Sequence, residues 1–124
     1  MAADIAVIDY GMGNLRSVSK AIEHVAPAMR VVVTADPEVI ASAGRVVFPG
    51  QGAAPDCMRE IDARGLRSVI VEAARCKPFL GICMGMQVLF EHSEEGDTPC
   101  LGIFPGTVQR FPDEAMRDEQ GNRL

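Results

Sequence analysis

The sequence lacks the features that mark a charged or lipid partner. Its net charge is −5 and no basic cluster interrupts it, which argues against nucleic acid or an anionic membrane surface. No apolar run approaches the roughly 20 residues needed to span a bilayer. The first residues begin directly with a strand pattern, without a basic region, an apolar signal segment or a cleavage site, so no secretory leader is expected. Metal-ligand spacing is also missing. Cys57, Cys76, Cys83 and Cys100 are irregularly placed, no Cys-x-x-Cys occurs, and His24 and His92 are not near them in a metal-site pattern. The expectation is no metal, no cofactor, and four reduced thiols in a cytoplasmic protein rather than two disulfides. No repeat or low-complexity segment is found. At 124 residues, 48% apolar and 23% charged, the chain reads as one globular domain over residues 1–124.

What is present is a regular alternation of strands and helices. Residues 5–10 form a mostly apolar run, as for a strand covered on both faces. Gly11-Met12-Gly13-Asn14 follows as a glycine turn. Asn14 is suited to cap a helix marked by Leu15, Val18, Ile22 and Val25. A second strand falls at residues 31–33. Asp36-Pro37 opens a short helix through Ser42, and a third strand covers residues 45–48. Pro49-Gly50-Gln51-Gly52 is a second glycine loop, before helices over about residues 56–63 and 66–74. This pattern predicts an α/β fold: a doubly wound, mostly parallel sheet with helices on both faces. Ligands of such sheets bind beyond the carboxyl ends of the strands, where the glycine loops at residues 11–13, 50–52 and 81–85 all lie. After His92 come an acidic loop, short apolar pieces over residues 101–111 that suggest small strands or a hairpin, and a polar tail.

The chemistry centres on Gly81-Ile82-Cys83-Met84-Gly85. Residues 79–82 read as an apolar strand and residues 84–91 as a buried helix. Gly-x-Cys-x-Gly between them is the cysteine form of the nucleophile elbow, a tight strand-to-helix turn that exposes one side chain. Glycine neighbours let strand and helix approach closely around a strained nucleophile. A thiol at a helix N-terminus gains thiolate character from unpaired N–H groups. The Met84 N–H would point where an oxyanion forms, and the Gly50-Gln51-Gly52 backbone is a candidate second donor. A base is harder to find. His24 falls on the first helix, most simply at the surface. His92 ends the expected elbow helix, about 12 Å along its axis from Cys83, too far to activate the thiol.

These motifs carry a resemblance. Gly81-Ile82-Cys83-Met84-Gly85-Met86-Gln87, with Pro49-Gly50-Gln51-Gly52, resembles the class I (triad) glutamine amidotransferases, whose core is flavodoxin-like. Asp9-Tyr10-Gly11-Met12-Gly13-Asn14-Leu15-Arg16-Ser17-Val18, then Phe90-Glu91-His92-Ser93-Glu94-Glu95-Gly96 and Leu101-Gly102-Ile103-Phe104-Pro105-Gly106, resemble one branch of it, the glutaminase subunits of imidazole glycerol phosphate synthases. The resemblance implies glutamine as substrate and Cys83 as nucleophile. It also implies an oxyanion hole from Gly50, Gln51, Gly52 and Met84, with Gln87 and Glu95 holding the α-amino and carboxylate end of glutamine. Ammonia would pass to a (β/α)8-barrel synthase partner in histidine biosynthesis, near Met12, Gly13 and Asn14. A small aliphatic residue is usual where Gln51 stands. The catalytic His and Glu of the family come from a later segment that has no match here. The expectation is therefore a domain truncated on its C-terminal side, inactive alone and self-associating. Another Cys-elbow hydrolase of the superfamily, or a non-catalytic flavodoxin-like binding domain, is the alternative.

Overall fold

A computed structural model describes residues 2–124. Its first half is a four-stranded parallel sheet. β1 (Ile5–Ile8), β2 (Val31–Thr34), β3 (Arg45–Gly50) and β4 (Phe79–Cys83) stand in the order β2-β1-β3-β4. Parallel neighbours need crossovers, and helices supply them: α1 (Leu15–Val25), α2 (Pro37–Ser42), then α3 (Ala54–Ala63) and α4 (Arg67–Cys76) in succession. Each start follows local chemistry. Asn14 Oδ1 accepts the Ser17 N–H at 3.2 Å, and Asp36 Oδ1 accepts the Glu38 N–H at 2.9 Å before Pro37. The end of α2 is closed from outside. Lys77 Nζ donates to the carbonyls of Ala43 at 2.7 Å and Ile40 at 3.3 Å.

Strand alternation sorts side chains to two faces. Ile5, Val7 and Val47 meet Leu15, Val18 and Ile22 of α1. Ala6, Ile8, Val46 and Phe48 face the larger core with Ile40, Ile61 and Ile70 from α2, α3 and α4, and Leu66 from the turn before α4. Each fully buried large apolar side chain there stabilises by roughly 1.5–3 kcal/mol. Helices lie on both faces, but unequally. On the α1 side, Leu80 and Ile82 of β4 remain 57% and 37% exposed.

Three boundaries differ from the sequence expectation. β3 runs on through Pro49 and Gly50, so Gly50 is paired strand, in register with Cys83. α3 begins at Ala54, with Pro55 in its first turn, rather than near Asp56. The third difference is the largest. The expected helix over residues 84–91 is a single turn, α5 (Met84–Gln87), followed by strand β5 (Phe90–Ser93). The backbone of this stretch is committed to a distant segment. The carbonyls of Val88, Leu89 and Phe90 accept from Leu101 N at 2.9 Å, Ile103 N at 2.8 Å and Gly102 N at 2.8 Å, and residues 90–93 run extended instead of forming a second helical turn. β5 then pairs antiparallel with β6 (Thr98–Pro99) and parallel with β7 (Phe104–Val108), a separate three-stranded sheet. The apolar pieces after residue 100 thus give a strand of this small sheet, paired in parallel rather than as a hairpin. Short 3₁₀ turns cover Glu95–Asp97 and Glu114–Met116.

α5 packs directly on β3. A β-carbon at Gly85 would overlap the Phe48 carbonyl, a backbone atom that cannot step aside cheaply. Gly85→Ala is therefore expected to lower unfolding stability by about 1–3 kcal/mol. Urea denaturation measures it, and an unchanged midpoint would contradict this close contact.

Candidate active site

Cys83 ends β4 and immediately precedes α5. Its φ of 57° and ψ of −119° make it one of two non-glycine residues with positive φ among those described. A side chain in this conformation is costly and persists only where its surroundings impose it. Here Gly50 holds one side through the β3–β4 register, and the buried Met84 and Gly85 hold the other. The result is a tight strand-to-helix elbow of the expected shape, with an exposed Cys83. The helix behind it is shorter than expected. One turn still leaves the Met84 N–H free of a helical partner, but adds little macrodipole.

The other predicted residues fall around this point. Gly50 is packed so tightly that a β-carbon on it would run into Tyr10 Oη and lie 2.9 Å from Met84 Cβ. Gln51 and Gly52 are exposed, and Gly52 takes φ 93°. The first glycine turn abuts them. A β-carbon on Gly52 would come within 2.9 Å of Met12 Cε, and one on Gly13 within 3.5 Å of Gly50 N. Met12 and Gly13 therefore border the 50–52 turn, and Asn14 caps α1 next to it.

Gln87 and Glu95 are brought together. They line a cleft of about 400 Å³ with Ser93, Glu94, Val108, Gln109 and Arg110, which does not include Cys83. Glu95 has a second engagement that sequence reasoning missed. Its Oε1 accepts the Ala54 N–H at 2.7 Å, tying the small sheet's loop to the start of α3. The signal was present: Ala53 offers no capping side chain to α3. His24 is exposed in the last turn of α1, as expected. His92 is not at a helix end. It sits on β5, with Nε2 2.7 Å from Asp97 Oδ1.

The four thiols are free and differ in setting. Cys57 and Cys100 are buried, and burial pushes both thiols up. Cys76 is exposed, but its hydrogen bond to Glu72 Oε1 at 3.1 Å pushes it up as well. Tyr10, fully buried below Gly50, also has its hydroxyl pushed up by desolvation.

A parallel sheet in the order 2-1-3-4 with an exposed cysteine on the turn at the end of β4 defines a class: doubly wound α/β proteins that carry a cysteine elbow at the carboxyl end of the sheet. The comparisons narrow it. The model of the family described as glutamine amidotransferase class-I matches residues 6–121. The chain belongs to the class I glutamine amidotransferases. It is 81% identical over its whole length to the imidazole glycerol phosphate synthase subunit HisH of Thiobacillus denitrificans, covering 54% of that protein. It is 70% identical over 98% of its length to the HisH of Aromatoleum aromaticum, covering 58% of it. The chain thus spans about half the length of the curated relatives it matches. A solved structure titled as a glutamine amidotransferase superposes with a TM-score of 0.67 over 86% of this chain and 56% of that one. At 15% identity it supports the fold alone.

Limited alkylation with peptide mapping should label Cys83 first. Cys57 and Cys100 are shielded, and Cys76 needs a higher pH than an ordinary thiol to form its thiolate, so raising pH should narrow the gap between Cys76 and Cys83. Faster labelling of Cys76 near neutral pH would count against the elbow.

Proposed function

We propose that the protein carrying this chain is the glutaminase subunit of imidazole glycerol phosphate synthase, acting in the cytosol in histidine biosynthesis. The observation that carries the reading is the strained, exposed Cys83 at the end of β4, paired in register with Gly50, in a chain of this family. The Cys83 thiolate attacks the side-chain amide carbon of glutamine. The C–N bond breaks, ammonia leaves, and a glutamyl thioester remains until water cleaves it to glutamate and restores the thiol. The N–H of Met84 and the 50–52 backbone stabilise the oxyanion, while Gln87 and Glu95 hold the amino-acid end of glutamine. Glu95 keeps one oxygen for this, since Oε1 already accepts from Ala54. Ammonia passes to a (β/α)8-barrel synthase subunit that docks near Met12, Gly13 and Asn14. Supporting this reading are the names of the relatives, each a subunit of that synthase.

Two experiments test it. Gly52 holds φ 93°, which a β-branched residue adopts only under strain. In the full-length subunit with its partner, Gly52→Val should lower glutamine turnover by about 100- to 1,000-fold, the usual effect of losing one oxyanion donor. Unchanged turnover would refute the oxyanion assignment.

Residues 1–124 alone should not turn over glutamine, and should self-associate. β4 is an edge strand, and beside it a groove of about 380 Å³ runs between Val18 and Ile22 of α1 and Leu80 and Ile82. Bare edges and apolar patches drive association. Sedimentation should show a dimer or larger species that Leu80→Glu weakens. A compact wild-type monomer would overturn this, and ammonia release abolished by Cys83→Ala would show that residues 1–124 hold a base.

A further inference from the structure

Two buried polar groups lie beneath the 50–52 turn and have no part in the chemistry above. Tyr10 is fully buried and its Oη has no hydrogen-bond partner. A buried hydroxyl in that state is uncommon and calls for an explanation. Its polar neighbour is Cys57, also fully buried, in the first turns of α3. The Cys57 thiol donates to Gln51 O at 3.5 Å, an ordinary length when sulfur is the donor. The thiol thus spends its proton on the backbone of the turn.

This choice has a geometric consequence. A trans peptide carries its C=O and its N–H on opposite edges. With the Gln51 carbonyl turned inward to Cys57, the N–H of Gly52 is turned away from the core. Gln51, Gly52 and Cys83 are all exposed, and Gly50 stands in register with Cys83. We infer that Cys57 is a positioning residue: its thiol anchors the Gln51 carbonyl inward and so presents the Gly52 N–H to the outer side, where the Cys83 nucleophile stands. The inference rests on the glutaminase reading above. Cys57 touches neither glutamine nor the reacting atoms. Burial keeps its thiol protonated, as donation requires.

The test is glutamine hydrolysis by the full-length subunit with its synthase partner, comparing wild type, Cys83→Ala, Cys57→Ala and Cys57→Ser. Cys57→Ala should lower kcat by about 10- to 100-fold with KM unchanged, the size of effect expected from a small misplacement at the reacting centre. Cys57→Ser keeps a donor at the same position and should restore most of the turnover. Wild-type kcat in Cys57→Ala, or equal damage in both Cys57 variants, would overturn the inference. Absence of any turnover sensitive to Cys83→Ala would instead overturn the glutaminase reading. An infrared measurement on the same protein separates the two. The S–H stretch lost in Cys57→Ser should lie at the lower frequency of a hydrogen-bonded thiol. A free-thiol frequency would refute the anchor whatever the activity, including where Cys57→Ala fails to fold.

Discussion

The site depends on how closely the end of β3 approaches the turn into α5. The contact is backbone on backbone: Gly85 lies against the Phe48 carbonyl, and Gly50 against Gly85 N. No side chain could stand between them. This approach fixes the two segments on either side of Cys83 and leaves the cysteine itself to absorb the misfit, as a positive φ. Strain of this kind costs on the order of 1–3 kcal/mol and survives only where packing over-determines it. The fully buried Phe48 and Val88 and the nearly buried Met84 supply that packing.

β3 is the strand through which the parts of the site communicate. It pairs with β1 on one side and β4 on the other, so the glycine turns after β1 and β3 and the elbow after β4 emerge side by side. The second sheet is joined to this arrangement by apolar packing, with Leu89, Cys100 and Leu101 in the larger core, and by one charged contact rather than by strand pairing. The Glu95 carboxylate caps the N-terminus of α3, where unpaired N–H groups attract an anion. That contact ties the loop bordering the Gln87 cleft to the helix that carries Cys57.

The two faces of the main sheet differ in how they are covered. Three helices shield Phe48, Val46 and Ile8, whereas α1 alone covers the opposite face and leaves Leu80 and Ile82 in solvent. The Cys83 elbow sits at the end of the edge strand β4, with the well-packed β3 on one side and exposed apolar surface on β4 itself.

The sequence by itself determined the main sheet, its connecting helices and the elbow. These rest on local signals: capping by Asn14 and Asp36, Pro37 at a helix start, apolar runs of strand length, and glycines where backbones must touch. The tertiary structure alone decided the rest. Residues 84–91 are apolar enough for a helix, but residues 90–93 pair with distant segments, residues 98–99 and 104–108, and become a strand. The sequence marked Glu95 as a site residue, but only the fold shows that it also caps a helix 41 residues away along the chain. Cys57 looked like one more scattered cysteine, because a thiol's hydrogen bond to a turn it packs beneath has no sequence signature. Local preferences are written residue by residue. The partner that a backbone or thiol group finally takes is settled only when distant segments compete for it.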